Sequence, residues 1–207
     1  MRLLVVGATG ALGRAVVDSA LTDGHDVNAL VRKPSSANLP PRVEVIRGDV
    51  LDAASIEPAV QRCAAVICAL GTPSPRKPTT LLERGTANLV AAMTRTEATR
   101  LVCVTLLGVG KSRPNTALLY RHVILRVLAP MVPDKQKQEQ IVRDCGLGWV
   151  LVRPPTIVGF TSRGPARVIP EGERGRVGLV SRTSLADLLV QAAGTDEYAH
   201  LAIAVGR

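Results

Sequence analysis

Aromatic side chains are nearly missing from this chain of 207 residues: Tyr120, Trp149, Phe160 and Tyr198 make up the 2%. Proteins that hold single-stranded nucleic acid stack its bases on such rings. Nucleic acid is therefore not expected as a partner, although the formal net charge is +9. The basic residues are spread in small groups, among them Arg32-Lys33, Arg76-Lys77 and Lys135 to Lys137. That dispersal suits a solvated basic surface with one phosphate-rich ligand. Long apolar runs are missing too: none reaches the roughly 20 residues that span a bilayer. The stretch from Ala117 to Met131 comes nearest, and Arg121, His122 and Arg126 break it. One arginine, a four-residue apolar run and then a glycine-rich turn do not read as a secretory signal. The expectation is a soluble cytoplasmic protein. The four cysteines, Cys63, Cys68, Cys103 and Cys145, form no Cys-x-x-Cys pair. They are expected as core thiols of a reducing compartment, not as disulfides. No His, Cys, Asp or Glu grouping has metal-ligand spacing, so no metal is expected.

What is present is concentrated at the start. Leu3-Leu4-Val5-Val6 is a strand-length apolar run that empties into Gly7-Ala8-Thr9-Gly10-Ala11-Leu12-Gly13, and an apolar-periodic helix follows. A strand, a glycine-rich turn and a helix start in that order make a phosphate site. Free backbone N–H groups and the positive end of the helix dipole converge there, and glycine lets the backbone approach a pyrophosphate. The turn marks a dinucleotide fold and specifies no reaction.

The rest of the chain alternates. Strands are expected at Leu3–Val6, Val27–Val31, Val43–Ile46, Ala65–Leu70, Leu101–Val104, Trp149–Val152 and Leu201–Val205. Helices are expected at Ala11–Thr22, from an Asp52 cap to Gln61, from a Thr79 or Thr80 cap to Thr94, and at Ala117–Leu128, Pro133–Cys145 and Ser184–Ala193. Arg163–Gly178 reads as an exposed loop or short hairpin. Apolar strands alternating with helices imply an α/β fold: a Rossmann-like, doubly wound parallel sheet with helices on both faces. One domain over 1–207 is expected, with 108–131 and 159–180 as segments of a small substrate-side cap.

The end of the second strand discriminates between cofactors. An acid there would bind the ribose hydroxyls of NAD. Here Arg32 and Lys33 occupy the place, and no acid lies between Val27 and Lys33. A carboxylate repels a 2′-phosphate, whereas a guanidinium grips one. NADP(H) is expected over NAD(H), with Arg14 as a possible helper.

The chain resembles the atypical short-chain dehydrogenase/reductase group, in particular its NAD(P)H-binding members of the biliverdin reductase B, or flavin reductase, type. The resemblance rests on Gly7-Ala8-Thr9-Gly10, Leu30-Val31-Arg32, Gly48-Asp49-Val50, Leu70-Gly71-Thr72, Asn88 to Met93, Gly146-Leu147, Pro154-Pro155 and Thr195 to Tyr198. It implies that Asp49 and Val50 line an adenine pocket and that Ala69, Leu70 and Gly71 flank the middle of the cofactor. It also implies that Thr105, Arg153, Pro154, Pro155 and Thr156 lie near the nicotinamide, with Lys135 fixing its ribose.

The catalytic pattern departs from that group. The residue four before Lys135 is Met131, where a Tyr-x-x-x-Lys pair would place the proton donor. Tyr120 is followed four residues later by Ile124, so it does not supply that pair either. Leu106 and Thr156 stand where biliverdin reductase B-type proteins carry Ser and His. His122 is the remaining candidate donor, and Thr105 a further candidate at the site. A hydride can still pass to an electron-poor ring if solvent protonates the product. The expectation is therefore an NADPH-dependent oxidoreductase acting on a flavin, quinone or similar planar acceptor, as monomer or homodimer. The alternative is a non-catalytic NADP(H)-binding sensor, assembly factor or scaffold.

Overall fold

The computed structural model describes residues 1–72, 74, 76–116, 120–159 and 164–207. The strands are β1 (Arg2–Val6), β2 (Asp26–Val31), β3 (Glu44–Arg47), β4 (Ala65–Cys68), β5 (Arg100–Val104), β6 (Gly148–Arg153), β7 (Ile157–Val158), β8 (Arg167–Pro170), β9 (Val180–Ser181) and β10 (Leu201–Gly206). The helices are α1 (Ala11–Thr22), α2 (Ala53–Val60), α3 (Leu81–Met93), α4 (Leu125–Val127), α5 (Val132–Arg143) and α6 (Arg182–Gly194). Eight strands form one sheet in the order β3-β2-β1-β4-β5-β6-β10-β8, and β7 pairs with β9 apart from it. Seven of the eight run parallel; β8 lies antiparallel to β10 at the edge.

Strict alternation along each central strand explains why helices cover both faces. Leu3 and Val5 of β1 join one apolar cluster with Val16, Val17 and Ala20 of α1 and Leu185, Leu188 and Leu189 of α6. Leu4 and Val6 join the opposite cluster with Ile56 and Val60 of α2, Leu89 and Met93 of α3 and Val142 of α5. Neighbouring side chains on a strand point to opposite faces, so a run apolar at every position can only be buried twice. Cys68 and Cys103 sit on the second face as buried free thiols.

Most expected boundaries hold to within a residue or two. Asp52 caps α2 through Ala54 N at 3.2 Å, and Ser181 caps α6 through Ser184 N at 3.1 Å. Pro133 lies in the first turn of α5, and Gly146 follows its end at φ +71°. Three expectations need correction. The loop reading of Arg163–Gly178 fails where Val168 and Ile169 pair with Val205 and Ala204, so β8 is an edge strand. Arginines, glycines and a proline disguise it, and such residues are how edge strands are blunted. The fourth strand stops at Cys68, because Ala69 and Leu70 turn to pack on Gly7. Ala117–Leu128 is not one α-helix. A π-turn over Tyr120–Ile124 leads into α4 and then a 3₁₀ turn over Ala129–Met131, with Pro130 inside the last. Residues 117–119, where that helix was expected to start, lie outside the described residues, as do 160–163 of the expected cap.

The glycine turn has no spare room. A Cβ on Gly7 (φ +86°) would stand 2.7 Å from the Ala69 carbonyl oxygen, and one on Gly13 only 2.1 Å from that of Gly7. Backbone cannot move aside as a flexible side chain can. Gly13→Ala is expected to cost about 1–3 kcal/mol in urea unfolding, in the range of overpacked cores. Gly71→Ala, where a Cβ meets nothing within 4 Å, should stay within about 0.5 kcal/mol of the parent.

Candidate functional site

The carboxyl ends of β1, β2, β4, β5 and β6 open into one cavity of about 960 Å³. This is where open α/β sheets bind ligands, and the volume lies within the range for small-molecule and cofactor sites. Gly7, Thr9, Gly10, Ala11, Leu12 and Gly13 line it from the first turn, and Arg32 from the end of β2. Asp49 and Val50 line it after β3, Ala69, Leu70 and Gly71 after β4, Thr105 after β5, and Pro154 and Pro155 after β6. Lys135 reaches it from α5. The chain thus brings sixteen of the residues singled out from the sequence into one wall. Lys33, His122, Arg153 and Thr156 are not part of the described lining.

The cradle fits a dinucleotide pyrophosphate. Gly10 N–H donates to Gly7 O at 3.0 Å, which closes the turn and starts α1 with Gly10 as its N-cap. No side chain caps this helix start, so the first-turn amides are left for an anion. A Cβ at Gly7 or Gly13 would fill the cradle. Arg32 is exposed and lines the cavity beside it. Arg14 does not help: its guanidinium donates to the carbonyls of Asn38 and, at 2.7 Å, of Ala37, and so ties α1 to the loop after β2. Asp49 holds its own turn, its Oδ1 accepting from Leu51 N at 3.0 Å.

The other end of the cavity is organised by α5. Asp134, Lys135, Gln138 and Glu139 are all buried, with at most 4% exposure. Positions i, i+1, i+4 and i+5 share one helix face, so the sequence carries this polar stripe in plain view. Asp134 accepts from Leu82 N (3.1 Å) and Glu83 N (2.8 Å), capping α3 from a different helix. Thr79 supports that start through Leu81 N, whereas Thr80 makes no capping bond. Lys135 Nζ donates to Val104 O and to Gln138 Oε1, each at 2.9 Å, and Gln138 Nε2 donates to Thr86 at 3.0 Å. Burial pulls the Lys135 ammonium below the usual lysine range, against the fields of the Cys103 and Cys68 thiols, Glu139 and Asp134.

Glu139 lines a second cleft of about 380 Å³ together with Arg153, Glu171 and Arg143. Thr105 Oγ1 lies 2.7 Å from Glu139 Oε1. Arg153 donates to Glu139 Oε1 at 2.9 Å through Nε and to Oε2 at 2.6 Å through Nη2. Its Nη1 reaches Glu171 at 2.6 Å, and Arg143 meets the same carboxylate oxygen at 2.6 Å. Arg153, placed near the nicotinamide by the resemblance, is instead 1% exposed and committed to these two carboxylates. Burial lowers its guanidinium, but hydrogen bonding and attraction from Glu139 and Glu171 carry it above the usual value. Burial likewise pushes the Glu171 carboxyl up, and Arg153 and Arg143 together outweigh that and hold it below the usual range.

Proton donors are scarce. Among the described lining residues Asp49 is the only carboxylic acid, and there is no Tyr, His or Cys. Tyr120 packs near Leu107, Ile169 and Val177, outside the lining. Burial pushes its phenol up to about 12, so it keeps its proton. His122 lies in the π-turn, also outside the lining. Reading the sequence also missed lining residues on the loop after β4, namely Thr72, Ser74, Lys77 and Thr79, and the apolar Leu81, Leu106, Met131 and Ile157. The loop had no regular pattern to reveal it; Lys77 beside a proline-rich turn was the one visible signal. Among the described residues there is no metal-binding cluster and no helix long and apolar enough to cross a membrane.

Comparison with known proteins agrees with this geometry. Residues 7–196 match the model of the NAD(P)H-binding family, and the chain belongs to that family. An uncharacterized protein of Mycobacterium tuberculosis is 31% identical over 160 residues, 77% of this chain but 15% of its own length. A (4-alkanoyl-5-oxo-2,5-dihydrofuran-3-yl)methyl phosphate reductase of Streptomyces griseus is 32% identical over 160 residues, 77% of this chain and 49% of its length. The chain thus spans half or less of both relatives. Photosystem II assembly factor Ycf39 of Trieres chinensis is 45% identical over 69 residues, 32% of this chain and 22% of its own. In fold the chain is similar to a Veillonella parvula short-chain dehydrogenase/reductase solved in complex with NADP, at TM-score 0.84 and 18% identity, covering 100% of this chain and 94% of that one. It is also similar to ChuY, an anaerobillin reductase of Escherichia coli O157:H7, at TM-score 0.80 and 19% identity, covering 100% and 97%.

The Glu171 carboxyl yields a pH prediction. Its folded pKa is depressed, so its ion pairs add stability above the unfolded value of about 4.3 and lose it as pH falls through the folded value. The melting temperature should decline from about pH 5 downward. Glu171→Gln should be less stable than the parent at pH 7 and show a flatter acid limb. An unchanged acid limb in that variant would refute the assignment.

Proposed function

We propose that this protein is an NADPH-dependent oxidoreductase that passes a hydride to a planar, electron-poor ring such as a flavin or a quinone. The observation that carries the reading is one cavity with a glycine cradle and Arg32 at one end, and Lys135 without any partner acid at the other. The adenosine end is assigned to Asp49, Val50 and Arg32, the pyrophosphate to the turn from Gly7 to Gly13, and the middle to Ala69, Leu70 and Gly71. Thr105, Lys135, Pro154 and Pro155 are assigned to the nicotinamide end. Lys33 beside Arg32 and Thr156 after Pro155 are assigned outer, supporting contacts.

Arg32 selects NADP(H). Its guanidinium meets a 2′-phosphate with charge-assisted bonds, and nothing at the end of β2 suits a free 2′-hydroxyl. When bound, the dinucleotide supplies two electrons and one hydrogen as hydride. Lys135 is already fixed by Val104 O and Gln138, so its third N–H is free to orient the ribose. Met131, Leu106 and Pro155 form an apolar wall on which a flat ring packs. The one proton that completes the reduction comes from water, because Met131 occupies the place of an acid. His122 has no part in that step on this reading. The protein acts as one domain over 1–207, in the cytoplasm, as monomer or homodimer. Segments 108–131 and 159–180 are assigned to the acceptor end, and of their described residues Met131 lines the cavity.

A second reading, a protein that holds NADP(H) as a sensor or assembly factor without turnover, draws support from the missing acid and from the stretch shared with Ycf39. NADPH oxidation across flavins, quinones and tetrapyrroles separates the two. Turnover with a ring acceptor supports the reductase; silence with NADPH bound favours the second reading.

Arg32→Ala should weaken NADPH binding by about ten- to a hundredfold, the worth of a charge-assisted contact at about 1.5–3 kcal/mol. NADH binding should change little. Equal losses for both nucleotides in a fluorescence titration would sink the NADP(H) preference.

A further inference from the structure

Thr105 has no hydrogen left to give. Its backbone N–H donates to Val152 O at 2.8 Å. Its hydroxyl meets Glu139 Oε1, and both Glu139 oxygens already receive Arg153 N–H groups. A carboxylate so paired has no proton to return, so the 2.7 Å contact runs from Thr105 O–H to Glu139. What Thr105 offers the cavity is therefore acceptor capacity alone, from its carbonyl oxygen and hydroxyl lone pairs.

Its surroundings match. Pro154 and Pro155 carry no N–H. Leu106 and Met131 are apolar, and Lys135 spends two of its three N–H groups inside the protein. The floor at this end thus receives hydrogen bonds better than it gives them. A ligand carbonyl laid on Thr105 would face lone pairs, whereas an N–H would be satisfied. A polar group left unpaired in such a setting loses affinity.

We infer that Thr105 is a specificity-determining acceptor for an amide- or imide-type N–H on the ring docked at this floor. Glu139 is its positioning residue, fixing the direction of the hydroxyl. This rests on the proposed NADPH site, and two sources can provide the N–H: the cofactor's carboxamide or the acceptor's own ring imide.

Equilibrium binding tests it without requiring turnover. One arm compares NADPH with its acetylpyridine analogue, in which a methyl ketone replaces the carboxamide. The other compares lumiflavin with 3-methyl-lumiflavin on protein saturated with NADP⁺. The parent should bind the N–H member of at least one pair about tenfold more tightly. The pair that responds names the source. Thr105→Ser should keep the preference, and Thr105→Val should reduce it to about twofold or less. Glu139→Gln, whose amide can donate to Thr105 and turn its hydroxyl outward, should lose it as well. If that variant fails to fold for want of the Arg153 pair, the Ser and Val variants decide alone. Equal binding within both pairs by the parent, or full preference in Thr105→Val, overturns the inference. Absent NADPH oxidation with every acceptor, alongside a preserved binding preference, would fault the reductase reading and leave this one standing.

Discussion

The buried polar face of α5 is the constraint on which the acceptor half of this site depends. Taking Asp134, Lys135, Gln138 and Glu139 out of water costs several kcal/mol for each charge unless partners are supplied. Each finds them on a neighbouring element, two of them on α3. Asp134 holds the start of α3, Lys135 the last carbonyl of β5, Gln138 the middle of α3, and Glu139 both Thr105 and Arg153 of β6. A helix so bound cannot slide or rotate without leaving a charge unpaired. The stripe therefore does what apolar packing does for α1 and α6, but with directional bonds. Its cost is offset by geometry: it fixes where Lys135 and Thr105 stand to within a hydrogen bond's tolerance.

The two halves of the cavity are built from different materials. The half around the glycine turn, assigned above to the cofactor, is largely backbone. The cradle from Gly7 to Gly13 exists because neither end of it tolerates a Cβ, and its amides carry the attraction for phosphate. The half around Lys135, assigned above to the acceptor, is side chain: an apolar wall, one lysine and one threonine. A site built from backbone tolerates few substitutions, whereas side-chain sites can be exchanged one residue at a time. Family membership accordingly gives an NAD(P)H-binding fold and leaves the acceptor open.

This division also explains what could be read from the sequence. The glycine turn, the strand ends and Arg32 were legible because each is local: a spacing, an apolar run, a charge at a boundary. The doubly wound sheet followed from strands apolar at every position. Arg153 and Glu171 were not legible, because their roles depend on a contact between residues 139, 153 and 171 that no local pattern encodes. Arg14 misled for the same reason, its guanidinium being drawn off by carbonyls after β2. β8 escaped because the polar residues that protect a sheet edge also imitate a loop. The polar stripe of α5 was visible as i, i+4 spacing. Its burial was not, since a run of Lys, Gln and Glu on a helix is usually a solvated face.

The missing acid and the donor-poor floor point the same way. Reducing an isolated ketone builds charge on one oxygen, and each lost donor at such an oxygen is worth about 2.7–4 kcal/mol of barrier. Lys135 is a charged donor at this floor, and two of its N–H groups are spoken for. A conjugated ring spreads the incoming charge over several atoms and asks less of any single donor. On the proposed reading, Met131 at the place of an acid disfavours the first chemistry and adds apolar surface for the second. Because Glu139 is held by Arg153, Thr105 cannot reverse its hydroxyl to rescue a ketone. On the proposed reading, the ion pair beneath the floor restricts the acceptor as firmly as the residues that touch it.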